Sequence, residues 1–107
     1  MDENKIENLA MTIIAFGGDA RSLAFDALAS AKSGNKAECL EKLHKAQESI
    51  KMAHKAQLEL LSMEARGESG EVKYLMVHAQ DHLMNAMLAV DLIEQMADLF
   101  FAKEETA

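Results

Sequence analysis

Apolar residues along the last third of the chain recur at alternating steps of four and three. Val72, Met76, Ala79, Leu83, Ala86, Val90, Ile93, Ala97 and Phe100 make up one such series, the spacing that lines up a seam on a helix packed in a bundle. A second series, Val77, Asp81, Met84, Leu88, Asp91 and Gln95, runs along nearly the opposite side. Two interruptions, Ser33-Gly34-Asn35 and Gly67-Glu68-Ser69-Gly70, divide the chain into three long segments. The first is predicted to be helical from about Glu3 to Lys32. The second starts after Asn35 as N-cap, with Glu38 at the capping-box position, and ends near Arg66 with Gly67 just beyond it. The third runs from near Glu71, whose charge suits a helix N-terminus, to about Lys103. Connections this short make neighbouring helices antiparallel. The expectation is an all-α, up-down-up three-helix bundle, with residues 1–107 forming a single domain. The Gly17-Gly18 pair is expected to bend or locally unwind the first helix.

Composition supports helices throughout. Proline is absent from the 107 residues, so nothing forces a break, and Ala, Leu, Met, Glu, Lys and Gln dominate, the residues that lose least on entering a helix. A net charge of −7 argues against a nucleic-acid partner, since phosphate contacts need a basic face. The longest apolar runs, such as Leu9 to Gly18, are too short to span a bilayer. The opening MDENKIEN is acidic where a signal peptide would be basic and then apolar. Cys39 is the single cysteine, which rules out an intrachain disulfide and suits a reducing compartment. A cytoplasmic location is expected, with Cys39 an ordinary helix residue. The methionines read as core filler, and Glu38 with Lys42 and Glu41 with Lys45 as i,i+4 pairs on a solvated face.

A helix that is apolar on two sides needs cover on both. In a chain of this size the natural source is another copy of itself, so the second seam predicts self-association. Asp81 lies within that seam. Like carboxylates crowded at an interface repel, and burial worsens the repulsion. A bound cation, protonation, or a place at the wet end of the seam would each relieve it. A divalent metal with oxygen ligands, such as Mg²⁺, is the simplest.

The chemistry concentrates in His78-Ala79-Gln80-Asp81-His82-Leu83-Met84. His78 and His82 are four apart and share a helix face, with Asp81 three after His78. Gln80 points elsewhere on the helix and is expected to serve a neighbouring chain. A zinc protease would need Glu where Ala79 stands, a di-iron bundle would need Glu-x-x-His on two helices, and no serine lies in an elbow motif. An imidazole titrating near pH 6.5 offers an unprotonated nitrogen at neutral pH, and such a nitrogen can accept a phosphoryl group and pass it on. His82 and Gln80 are suitable donors to the phosphoryl oxygens. Two other readings stay open on the residues alone: a helical interaction module whose histidines satisfy one another, and a metal-binding module using His78, His82 and Asp81. His44 and His54 read as surface or interface-rim histidines.

The run from His78 to Met84 resembles the active-site signature of the lactose/cellobiose-type enzyme IIA components of bacterial sugar phosphotransferase systems. Gly18-Asp19-Ala20-Arg21-Ser22 with Ala27-Leu28 is a second match, and Ala53-His54, Gln57, Glu64-Ala65 and Gly67 a looser third. The resemblance covers nearly the whole chain. It implies a cytoplasmic homotrimer of three-helix subunits, nine helices in all. It implies that His78 accepts a phosphoryl group, on its tele nitrogen, from the histidine-containing phosphocarrier protein. The group then passes to a cysteine of enzyme IIB for uptake of a disaccharide, be it cellobiose, lactose or chitobiose. It further implies that Asp81 gathers around one central divalent metal per trimer, and that His82 and Gln80 belong to the phosphohistidine pocket.

Overall fold

Two glycine-centred turns set the topology. The computed structural model describes residues 3–68 and 70–106, apart from the side chains of residue 3 and residues 103–106. It contains helices α1 (Glu3–Lys32), α2 (Lys36–Ala65) and α3 (Tyr74–Thr106), in the antiparallel up-down-up order expected. At the first turn Gly34 has φ +83°, a conformation that side chains with a Cβ rarely adopt. There the Gly34 N–H donates to the Ala31 carbonyl at 3.0 Å and the Asn35 N–H to that of Ser30 at 2.9 Å, closing α1 with a Schellman motif. Asn35 caps α2 by accepting from the Glu38 N–H at 3.1 Å. The expected capping box is modified. With the Asn35 N–H already used by Ser30, the Glu38 carboxylate accepts from the Asn35 side-chain Nδ2 instead, at 2.8 Å. Asn35→Ala leaves an uncapped N–H and is expected to cost about 1 kcal/mol, read as a lower urea midpoint at an unchanged slope.

The second turn repeats the device. Gly67 (φ +74°) donates to Glu64, and Glu68 to Met63 at 2.8 Å. Here the expectation that α3 starts near Glu71 is corrected. Gly70 also takes a positive φ, +66°, so the chain is still turning, and the first helical bonds run from Met76 and Val77 to the Lys73 carbonyl. Val72, outside the helix, is therefore exposed rather than seated on the seam.

From Met76 through Ala97 the predicted inner seam is buried at every position. It then departs from the pattern: Phe101 is buried and Phe100 is exposed. A helix of 3.6 residues per turn drifts about 20° per heptad against a strict 3.5 repeat, and after three heptads the inward position has moved on by one residue.

Among the described residues half of the buried apolar ones are alanines, and α1 presents Ala10, Ala20, Ala24, Ala27 and Ala31 in one line. That line lets α1 pack closely on both other helices, while α2 and α3 meet less extensively. The result is a rod of 60 × 18 × 18 Å. Gly17 belongs to the same line. α1 is unbroken through Gly17-Gly18, so the helix does not unwind there. A Cβ at Gly17 would lie 3.7 Å from the His82 carbonyl oxygen and 3.8 Å from the Leu83 Cα. These are ordinary van der Waals distances, so Gly17 lies against the α3 backbone beside the histidines without the packing demanding a glycine there.

Lys42 pairs with Glu38 at 2.7 Å and Lys45 with Glu41 at 3.3 Å, both on the surface. Cys39 is buried, and burial pushes its thiol pKa up, consistent with a packing role. Among the described residues, no helix is long and apolar enough to cross a membrane.

Candidate functional site

The first two turns of α3 present three rings at i,i+4 spacing. Tyr74 stacks on His78, with ring centroids 6.3 Å apart and planes 11° apart. His82 meets His78 edge-on at 4.5 Å. The His78 Nε2 and His82 Nε2 atoms are 3.1 Å apart. Neutral imidazole carries one N–H and one lone pair, so a hydrogen bond at this distance makes one Nε2 the donor and the other the acceptor. His78 is exposed and His82 half-buried. His78 is thus the more accessible of the two rings, and His82 can hold its Nε2–H toward it.

Gln80 lies on the other flank of α3 and is half-buried. Its Oε1 accepts from the Nε2 of Gln57 on α2 of the same chain, at 2.6 Å. Gln57 Oε1 in turn accepts from His54 Nδ1 at 2.9 Å. His54 is exposed, as expected, but it is not isolated. Sequence reasoning left Gln57 outside the site. Its signal was a polar residue on the buried face of α2 beside Ala53, Ala56 and Leu60. Tyr74, four residues before His78, could likewise have been read from the spacing.

Asp81 is exposed on the single chain, and Asn85 Nδ2 approaches its Oδ1 at 3.4 Å. Around it the second seam is exposed as well: Val77, Met84 and Leu88 each show about half of their surface, and Tyr74, Leu92 and Leu99 extend the stripe in both directions. Among the described residues no three His, Cys, Asp or Glu side chains gather as a metal site. At about 100° per residue, His78 and Gln80 sit on opposite shoulders of this stripe, each roughly 80° from its centre.

The model of the protein family described as "PTS system, Lactose/Cellobiose specific IIA subunit" matches residues 8–101. A lichenan-specific phosphotransferase enzyme IIA component of Bacillus subtilis is 46% identical over 96 residues, covering 90% of this chain and 87% of its own. The crystal structure of a cellobiose-specific enzyme IIA from Bacillus anthracis superposes with a TM-score of 0.90 at 42% identity, over 100% of this chain and 96% of that one. A solution structure of an Escherichia coli IIA(Chitobiose)-HPr complex matches with a TM-score of 0.80 at 34% identity, covering 92% of this chain and 96% of that one.

Proposed function

This chain belongs to the lactose/cellobiose-specific IIA family of phosphotransferase systems, and from that premise we infer that it is a phosphoryl carrier whose acceptor atom is Nε2 of His78. The single observation that carries the assignment is the exposed His78 ring with the Nε2 of His82 3.1 Å from its own.

In the resting state His82 donates its Nε2–H to the His78 Nε2 lone pair. A histidine-containing phosphocarrier protein, the kind of partner that the Escherichia coli relative binds, brings its phosphohistidine in line with that nitrogen. The lone pair forms the new N–P bond as the old N–P bond breaks, and the departing electrons return to the carrier's imidazole. His82 then exchanges an N–H···N bond for an N–H···O bond to the phosphoryl group, a charge-assisted bond and a stronger one. In the second half-reaction a cysteine thiolate of enzyme IIB attacks phosphorus, the S–P bond forms, and the N–P electrons return to His78. The phosphoryl group goes on to a disaccharide during its uptake. The carrier works in the cytoplasm and binds no sugar itself.

The exposed stripe supports a homotrimer. Three α3 helices meeting along Val77, Met84, Leu88 and Leu92 would bury apolar surface that one chain leaves in water. Packed in parallel around a threefold axis, each helix turns one shoulder to the opposite shoulder of the next, as e and g positions meet in coiled coils. His78 of one chain would then face Gln80 of the next, about 3 Å apart along the axis at 1.5 Å per residue. The three Asp81 carboxylates would converge as hard oxygen donors suited to one divalent cation such as Mg²⁺ per trimer. A cation held there supplies charge neutralisation.

Incubation with phosphoenolpyruvate, enzyme I and the phosphocarrier protein, followed by site mapping in the mass spectrometer, tests the assignment. One acid-labile phosphoryl group per chain on His78 is the expected result, and label on any other residue would overturn it.

A further inference from the structure

We propose that Gln57 is a positioning residue for phosphoryl transfer: it holds the Gln80 carboxamide with its NH₂ end outward, toward the phosphoryl group on His78 of the partner subunit. The proposal rests on the carrier reading and on the shoulder-to-shoulder packing of α3.

Gln57 is 8% exposed and stands among Ala53, Ala56 and Leu60 in the core of the bundle. A leucine or methionine would fill that place without the cost of burying an amide. The amide is instead engaged at both ends. Its Nε2 donates to Gln80 Oε1 at 2.6 Å and its Oε1 accepts from His54 Nδ1 at 2.9 Å. The run of bonds has one direction. Because Gln57 spends its N–H on Gln80, its carbonyl can only accept, so His54 must carry its proton on Nδ1. Because the Gln80 carbonyl is spent on Gln57, the end of Gln80 left for a ligand is the NH₂ group.

That polarity suits the chemistry. Phosphoryl oxygens are acceptors and carry negative charge, so an amide presenting its carbonyl would repel them, while one presenting N–H bonds stabilises them. A glutamine amide on a solvent-facing helix has no reason to prefer one orientation. Gln57 supplies the preference from inside the bundle, and fixing a donor before the reaction removes the cost of orienting it during transfer.

Gln57→Met, which keeps the volume and the unbranched shape, is expected to lower kcat for transfer from the phosphocarrier to His78 about tenfold, well short of deleting a donor outright. KM for the phosphocarrier should stay unchanged, because Gln57 is buried away from the protein surface. Gln57→Glu should be worse, about a hundredfold. Its carboxylate accepts only, and so turns the Gln80 NH₂ inward and the carbonyl toward the phosphoryl group. In the Gln80→Leu background, Gln57→Met should cost nothing further. Equal losses in both backgrounds, or Gln57→Glu no slower than Gln57→Met, would overturn the proposal. Failure of the carrier reading is visible separately, as absence of label on His78 in the wild-type chain.

Discussion

Replacing His78 by alanine is expected to reduce phosphoryl incorporation from one group per chain to none, with the helical content and the assembly intact. The side chain is exposed, and its polar contact is the 3.1 Å bond with His82. Alanine is also the better helix former, so the change should move stability by about 0.5 kcal/mol or less. Loss of labelling can then be charged to chemistry and not to unfolding. His82→Ala is the informative companion. The two imidazoles face each other through equivalent atoms, and distance alone does not say which is the nucleophile. If His78 is the acceptor and His82 the donor, the His82 variant still accumulates label on residue 78, only more slowly. Label surviving in the His78 variant, or vanishing equally in both, would contradict this division of roles.

Leu88→Glu, in the middle of the exposed stripe of α3, is expected to convert the assembly to monomers, read by sedimentation or light scattering across micromolar concentrations. Each trimer would carry three copies of the change. At ~2 kcal/mol for each leucine returned to water, the loss is about 6 kcal/mol, more than four powers of ten in association, before any cost of burying the new charges. Asp81→Leu should act in the opposite direction. It removes three like charges from an apolar seam, so the assembly should persist and become indifferent to chelators, whereas chelation of the wild type weakens it. A wild-type chain that is monomeric at these concentrations would refute the trimer and the Asp81 cation site together, and would leave the labelling of His78 untouched.

Much of the fold was legible before any coordinates because its signals are local. Gly34 and Gly67 end helices because each must take a positive φ, Asn35 caps because its oxygen reaches the Glu38 N–H, and the inner seam of α3 follows from its spacing. His78, His82 and Asp81 were singled out the same way, since residues three and four apart on one helix are neighbours wherever that helix lies. Two misses were local: the positive φ of Gly70 delays α3 to Tyr74, and helical drift moves the seam from Phe100 to Phe101. The placing of Gly17 against α3 depends instead on where a second segment lies. So does the link from His54 through Gln57 to Gln80, which joins positions 23 residues apart on two helices. Periodicity states which residues share a face of one helix; it is silent on what that face meets. The chain by itself therefore determined three helices and the paired imidazoles on the last of them. Only the packing of α1 between its neighbours, and of α2 beside α3, decided where Gly17 lies against the α3 backbone and which end of the Gln80 amide meets Gln57.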